Sequence, residues 1–410
     1  MGVDGGHRQH VLVVGTGPAG LVAALALARV GLAVTLAGPG AGAAAGGTDE
    51  RTTALFGGSV EMLRHLGLWP RLRDHLAPLA GLRLIDDTGG LLRAPETVFR
   101  AAEIGAEAFG YNVANRDLVA ALWDRVSETA EVQHRVAAVT QLTVQTDGIA
   151  VAFATGSAWS GNLAVGADGR NSICRHEARI AERRWSYPQT AIATRFMHSR
   201  PHGGISTEFH RRAGPLTTVP MPGNQSSLVW VETPDEADRL MQLDADMFAR
   251  ALETRLDGLL GSVATIGPRA AFPLSGLSAD PVARARTVLV GEAAHVLPPI
   301  GAQGLNLGFR DAAWLAEIAG DAFRDGRDIG GDDVLAAYIT SRRVDVWSRG
   351  LAVDLLNRSL IADMLPLDLM RGAGLAALGA FPWLRQRVMR EGQSPAGAQP
   401  ALLRPVVVAL

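Results

Sequence analysis

Lysine is absent from all 410 residues, and the 39 basic side chains are arginines. No internal Schiff base can form without lysine, and no GK[ST] phosphate loop is present. There is one cysteine, Cys174. That excludes a disulfide framework and a cysteine metal centre, and it fits a reducing compartment. No His/Cys ligand spacing points to a metal. No apolar run reaches the ~18–20 residues needed to span a bilayer. The first residues, MGVDGGHRQH, lack the apolar core of a secretory signal. The expected location is the cytoplasm. A net charge of −2 argues against nucleic acid as the main partner. With 48% hydrophobic residues the chain can bury a large core and build two domains.

Glycine is abundant, and its placement is informative. The buried run Val11-Leu12-Val13-Val14 leads into Gly15-Thr16-Gly17-Pro18-Ala19-Gly20 and then an Ala/Leu-rich helix to about Val30. A second strand follows at Leu32–Leu36. This is a βαβ unit with a GxGxxG turn, the arrangement that seats a dinucleotide pyrophosphate on a helix N-terminus. The second strand ordinarily ends in an acid for the ribose, but here it runs into Ala37-Gly38-Pro39. Asp49, Glu50 and Glu292 are the alternatives. Arg51, in Asp49-Glu50-Arg51-Thr52-Thr53-Ala54-Leu55, could grip a phosphate as a planar fork.

A second glycine motif, Gly166-Ala167-Asp168-Gly169-Arg170-Asn171-Ser172, also joins a strand to a helix. A third begins after the strand Thr287–Val290: GEAAHVLPPIGAQGLNLG, Gly291–Gly308. Pro298-Pro299 stiffen its backbone. Gly301 and Gly304 allow a flat ligand to come close. An amphipathic helix follows, and its bare N–H groups suit negative charge. His295 reads either as a base or as a structural histidine bonded within the loop. Between the motifs, residues 81–100 alternate as a hairpin, and Asn115 reads as a helix N-cap. Strands recur at 134–165 and 186–231, and a helix pair covers 234–260. Tyr187 reads as a phenol-binding group or as a packed strand tyrosine.

Together these motifs resemble the aromatic-ring monooxygenases of the p-hydroxybenzoate hydroxylase fold. Gln303-Gly304-Leu305-Asn306-Leu307-Gly308 and the DxRTxAL segment at 49–55 are most similar to the ubiquinone-biosynthesis hydroxylases. Tyr187-Pro188-Gln189, Gly214-Pro215-Leu216 and Val229-Trp230 follow the same pattern in order. The resemblance implies an α/β (α+β) fold: a Rossmann-like FAD-binding domain, an inserted, mostly antiparallel sheet domain, and C-terminal helices. The expected division is 1–80, 105–185 and 275–345 for FAD, 81–104 and 186–274 for substrate, and 346–410 for the helical tail.

The implied FAD contacts are Gly15, Gly17, Pro18, Ala19, Gly20, Arg51, Asp168, Gly169, Gly291, Glu292, Gly301, Gln303, Gly304, Leu305 and Asn306. Relatives usually carry Asp where Glu292 stands. Pro299 and His295 are the catalytic candidates, and Tyr187, Pro298 and Ile300 the substrate candidates. The implied chemistry is oxygen transfer from a flavin C4a-hydroperoxide to a prenylated phenol of ubiquinone biosynthesis. The resemblance implies NAD(P)H or a reductase or ferredoxin as the electron donor; no separate nicotinamide-binding Rossmann unit is visible to choose between them, as is usual for this fold. Other quinone-biosynthesis enzymes are the implied partners. The apolar stretch 372–384 would pack on the body of the protein or touch the inner face of a membrane. The alternatives are a hydroxylase of a small soluble phenol and a flavin-bound scaffold or redox sensor without turnover.

Overall fold

A computed structural model describes residues 9–41, 51–89, 95–299, 302–361, 381–393 and 398–406. The fold is α/β and is organised by two sheets. In the first, the strands run Ala283–Arg284, Thr287–Leu289, Leu163–Gly166, His10–Val14, Ala33–Ala37 and Val132–Arg135. All neighbours are parallel except the edge pair at 283–288. Parallel sheets are covered on both faces, so the central strands are almost wholly apolar, whereas the edge strand Val132–Arg135 exposes Gln133 and His134. Val11, Leu12, Val13, Leu163, Ala164, Val165, Val288 and Leu289 are fully buried.

The helix Pro18–Arg29 is buried from Gly20 to Ala28 and packs against the helix Gln303–Arg324. Each fully buried leucine on these helices contributes roughly 1.5–3 kcal/mol of transfer free energy. Because the two helices are Ala-rich, they can approach closely.

The second sheet runs His295–Val296, Ala270–Ala279, Glu182–His198, Gln225–Glu232, Leu216–Met221, Ile205–His210, Gly81–Asp86 and Thr97–Arg100. It is antiparallel except where Ile205–His210 lies beside Gly81–Asp86. The expected hairpin at 81–100 is therefore this sheet's edge. The helices Pro234–Gln242 and Ala245–Leu256 cover one face, burying Ile192, Phe196, Phe209, Leu216, Leu228 and Trp230.

The opposite face looks toward the parallel sheet's unit. Thr52 Oγ1 donates to Ser227 Oγ at 2.8 Å, and Arg51 lies over the Phe272 ring at 5.4 Å. Ser227 and Phe272 both alternate away from the helix-covered face. This sheet thus forms a roof.

The tail begins with a helix, Asp332–Ile361, and resumes with Pro382–Gln393. Most of the apolar stretch 372–384 lies outside the described residues. No helix among the described residues is long and apolar enough to cross a membrane.

Candidate active site

The glycine motifs come together because the strands leading into them are neighbours. Val14 lies opposite Gly166, and Gly166 lies opposite Leu289. All three loops therefore leave the same, carboxyl edge of the parallel sheet, where open α/β sheets place their ligands.

Contacts between loops explain the small residues. A Cβ on Gly15 would sit 2.2 Å from the Ala167 carbonyl oxygen, and one on Gly20 would sit 2.0 Å from the Gly15 carbonyl oxygen. Gly15 also takes φ +111°, which side-chain-bearing residues rarely adopt. A Cβ on Gly291 would meet the Ala19 methyl at 3.0 Å. The first motif is thus wedged against the other two. Gly17 differs, since a Cβ there would meet nothing within 4 Å. It is the N-cap of the helix Pro18–Arg29 and supplies no side-chain cap.

These residues fit a dinucleotide. Gly17 leaves open space at an uncapped helix start, where N–H groups point outward. Asp168 adds an acceptor: its Oδ2 takes the Cys174 N–H at 3.1 Å, while Oδ1 is buried without a hydrogen-bond partner. A hydroxyl of the cofactor would satisfy it. The helix Gln303–Arg324 likewise opens without a side-chain cap, after Ala302 at φ +51°.

The third motif is held from behind. Asp311, in the next helix, accepts the Gly291 N–H at 2.9 Å, His295 Nε2–H at 2.7 Å and Arg342 Nε–H at 2.7 Å. The Asp311, His295 and Arg342 side chains are 1–2% exposed. The Arg342–Asp311 bond ties the helix Asp332–Ile361 to this cluster, and Arg342 also bonds Asp345 of its own helix at 2.9 Å. Tyr338 of that helix donates to the Leu289 carbonyl oxygen at 2.9 Å.

Burial alone would push the Asp311 carboxyl up. His295, Arg342 and the Gly291 N–H outweigh burial and hold it below its ordinary value of 3.8. A carboxyl with a lowered folded value stabilises fully above its unfolded value and loses that contribution as pH falls through the folded one. Thermal melts below about pH 5 should therefore show an acid loss that Asp311→Asn lacks. The same acid slope in both proteins would contradict this.

The remaining predicted residues fall as follows. Asn306 is expected at the flavin ring, but its amide is spent within the protein. Its Oδ1 accepts from Phe56 N–H at 3.0 Å and Ser59 Oγ at 2.7 Å. Its Nδ2 donates to the Ala54 and Ala302 carbonyl oxygens at 2.8 and 2.7 Å. That is the full capacity of an amide. Asn306 ties the strand Thr52–Phe56 to the start of the helix Gln303–Arg324. Asn115 is the first residue of its helix rather than the cap, and its Oδ1 accepts from Thr53 Oγ1 at 2.7 Å.

His295 sits in the loop-holding cluster. Glu292 is exposed and faces Arg170 at 3.6 Å. Arg51 stacks on Phe272 at the seam between the two sheets. Tyr187 is buried in the roof and accepts from the Trp185 indole at 2.7 Å. Pro298 is buried and Pro299 exposed, while Gln303, Gly304 and Leu305 keep part of their surface. Gly169 has an open flank. Ile300, Gly301, Asp49 and Glu50 lie outside the described residues. Asp311 and Arg342 escaped the sequence reading. The available signal was an acid inside an Ala/Leu-rich helix, which is expensive unless paired.

Residues 8–348 match the FAD binding domain family. The chain is 36% identical to the ubiquinone hydroxylase UbiL of Rhodospirillum rubrum, over 96% of this chain and 92% of that protein. It is 29% identical to the 3-demethoxyubiquinol 3-hydroxylase of Escherichia coli, over 93% and 97%. Among solved structures, p-nitrophenol 4-monooxygenase from Pseudomonas putida superposes with a TM-score of 0.76 at 18% identity, covering 96% and 99% of the two chains. Klebsiella pneumoniae HpxO, complexed with FAD and uric acid, gives 0.74 at 20%, also covering 96% and 99%. Those two share the fold. With its three loops converging on one dinucleotide seat, and with relatives matched along nearly its whole length, the chain belongs to the ubiquinone hydroxylase family of FAD-dependent monooxygenases.

Proposed function

We propose that the protein hydroxylates the aromatic ring of a prenylated phenol intermediate of ubiquinone biosynthesis. The family assignment supports an FAD-dependent aromatic hydroxylase acting in that pathway. The observation that carries the finer reading is the roof. On its cofactor-facing side Leu84, Val219, Val229 and Phe272 are incompletely buried, although each is apolar. An open apolar face suits a ring with a hydrocarbon tail.

FAD, when bound, supplies reducing power and activates O2 for transfer to an electron-rich ring. Gly15, Gly17, Ala19 and Gly20 would receive the pyrophosphate, Asp168 a hydroxyl, and Arg51 a phosphate or the ring's edge. The start of the helix Gln303–Arg324 would face the flavin. Pro298 and Pro299 would border the substrate and help exclude water. NAD(P)H or a reductase would provide electrons.

The test is quinone extraction from a strain lacking the gene. Accumulation of a prenylated phenol one oxygen short of the next intermediate is the expected result. An unchanged quinone pool, in a strain with no second hydroxylase for the step, would remove this substrate and leave the hydroxylation of a small soluble phenol as the reading to pursue.

A further inference from the structure

Beyond the cofactor loops, the roof carries a buried acid–base pair. On the strand Ile205–His210, Phe209 points into the helix-covered core, so Glu208 and His210 alternate to the opposite, cofactor-facing side. Glu208 is 7% and His210 4% exposed. His210 Nε2 lies 2.8 Å from Glu208 Oε1. The second carboxylate oxygen has only a long contact, 3.4 Å, from Thr217 Oγ1. A carboxylate can only accept, so Nε2 carries the hydrogen. The other ring nitrogen, Nδ1, is buried and has no hydrogen-bond partner among the described residues. The neighbours on this face are open. Leu84 and Thr217, which flank Glu208 in register, and Val229, next across the sheet, are each partly exposed. The charged groups nearby are Asp86, in register with His210, and Arg211, which bridges Glu232 at 2.9 Å and Asp87 at 3.4 Å; Arg212 bonds the Thr88 carbonyl oxygen.

We propose that the Glu208–His210 pair takes the proton from the hydroxyl of the aromatic substrate lying against this face. The inference rests on the phenol reading above. In the step, the phenol O–H bond breaks and an Nδ1–H bond forms, while the electron pair stays on oxygen and enriches the ring. Glu208 holds the tautomer that leaves Nδ1 bare and stabilises the imidazolium that results. After oxygen transfer the product oxygen takes the proton back. No oxidant enters this step.

The probe is a phenol bearing a short prenyl chain, titrated anaerobically into the FAD-loaded protein while its ultraviolet spectrum is followed. Wild type is expected to bind it as the phenolate well below the ordinary phenol value of about 10. His210→Asn is expected to bind it as the neutral phenol. Hydroxylation at neutral pH should fall about 10²–10⁴-fold and recover toward alkaline pH. Glu208→Gln should fall between the two, which guards against a single misfolded variant, and melting temperature and FAD content are read for each. A merely structural pair would shift stability and leave phenol ionisation and the pH profile unchanged. That result, with wild type active, overturns the pair's role alone. If wild type neither binds nor hydroxylates the probe, the substrate reading falls, and this inference with it.

Discussion

Asp311→Ala is expected to lose about 3–5 kcal/mol of stability and most of its bound FAD. Removing one partner of a buried ion pair leaves the other charge uncompensated, and costs of this size are the norm. Here the partner left behind is Arg342, whose side chain is 1% exposed and whose pairing with Asp311 and Asp345 outweighs burial to hold its pKa above the usual arginine range; without Asp311 it keeps only Asp345. The same substitution leaves Gly291 N–H and His295 Nε2–H without their acceptor. A domain has roughly 5–15 kcal/mol in total, so the loss is a large share. FAD should suffer beyond the general destabilisation, because Gly291 and His295 belong to the loop proposed to frame the flavin. Thermal melts and the flavin absorbance of purified protein measure both. A melting temperature within about 2 °C of wild type, with full flavin content, would show that the cluster holds nothing up.

The first motif allows a sharper separation of folding from binding. Gly20→Ala places a methyl 2.0 Å from the Gly15 carbonyl oxygen, a backbone atom with no flexible end to give way. Overpacking of this kind costs roughly 1–3 kcal/mol or more, so that variant should be unstable with or without cofactor. Gly17→Ala meets no protein atom within 4 Å. Its apoprotein should melt like wild-type apoprotein, yet bind FAD much more weakly, because the added methyl occupies space left for the pyrophosphate. Every 1.4 kcal/mol of lost contact is about a tenfold weaker Kd. Calorimetric titration of the two apoproteins with FAD decides the matter. Equal affinity in Gly17→Ala and wild type would place the pyrophosphate elsewhere.

The parts legible from sequence were those governed by local rules. The βαβ unit appears where strand, GxGxxG and Ala/Leu helix are adjacent in the chain. The strand at 205–210 and the helix pair after Pro234 follow from alternation and from helical periodicity. What stayed hidden depends on distant partners. Asn306 carries the motif position of a flavin contact, but its amide is claimed by Ala54, Phe56 and Ser59, some 250 residues earlier in the chain. Asp311 draws its meaning from Arg342, one helix further on. Asn115 has the composition of a cap, but Thr53 on the neighbouring strand captures its oxygen and the helix starts one residue earlier than a cap would allow. Of the acids that could replace the one missing after the second strand, Glu292 is exposed and faces Arg170 at 3.6 Å, while Asp49 and Glu50 lie outside the described residues.

Aromatic hydroxylation by this protein is tested most directly by a single turnover with O2 labelled with heavy oxygen. FAD-loaded protein is reduced, mixed with a short-chain prenylated phenol, and exposed to the labelled gas, and the product is weighed. The expected product is a hydroxylated phenol heavier by one labelled oxygen atom, in near-stoichiometric yield on reduced flavin. Reoxidation of the flavin that yields only hydrogen peroxide and returns the phenol unchanged would contradict it.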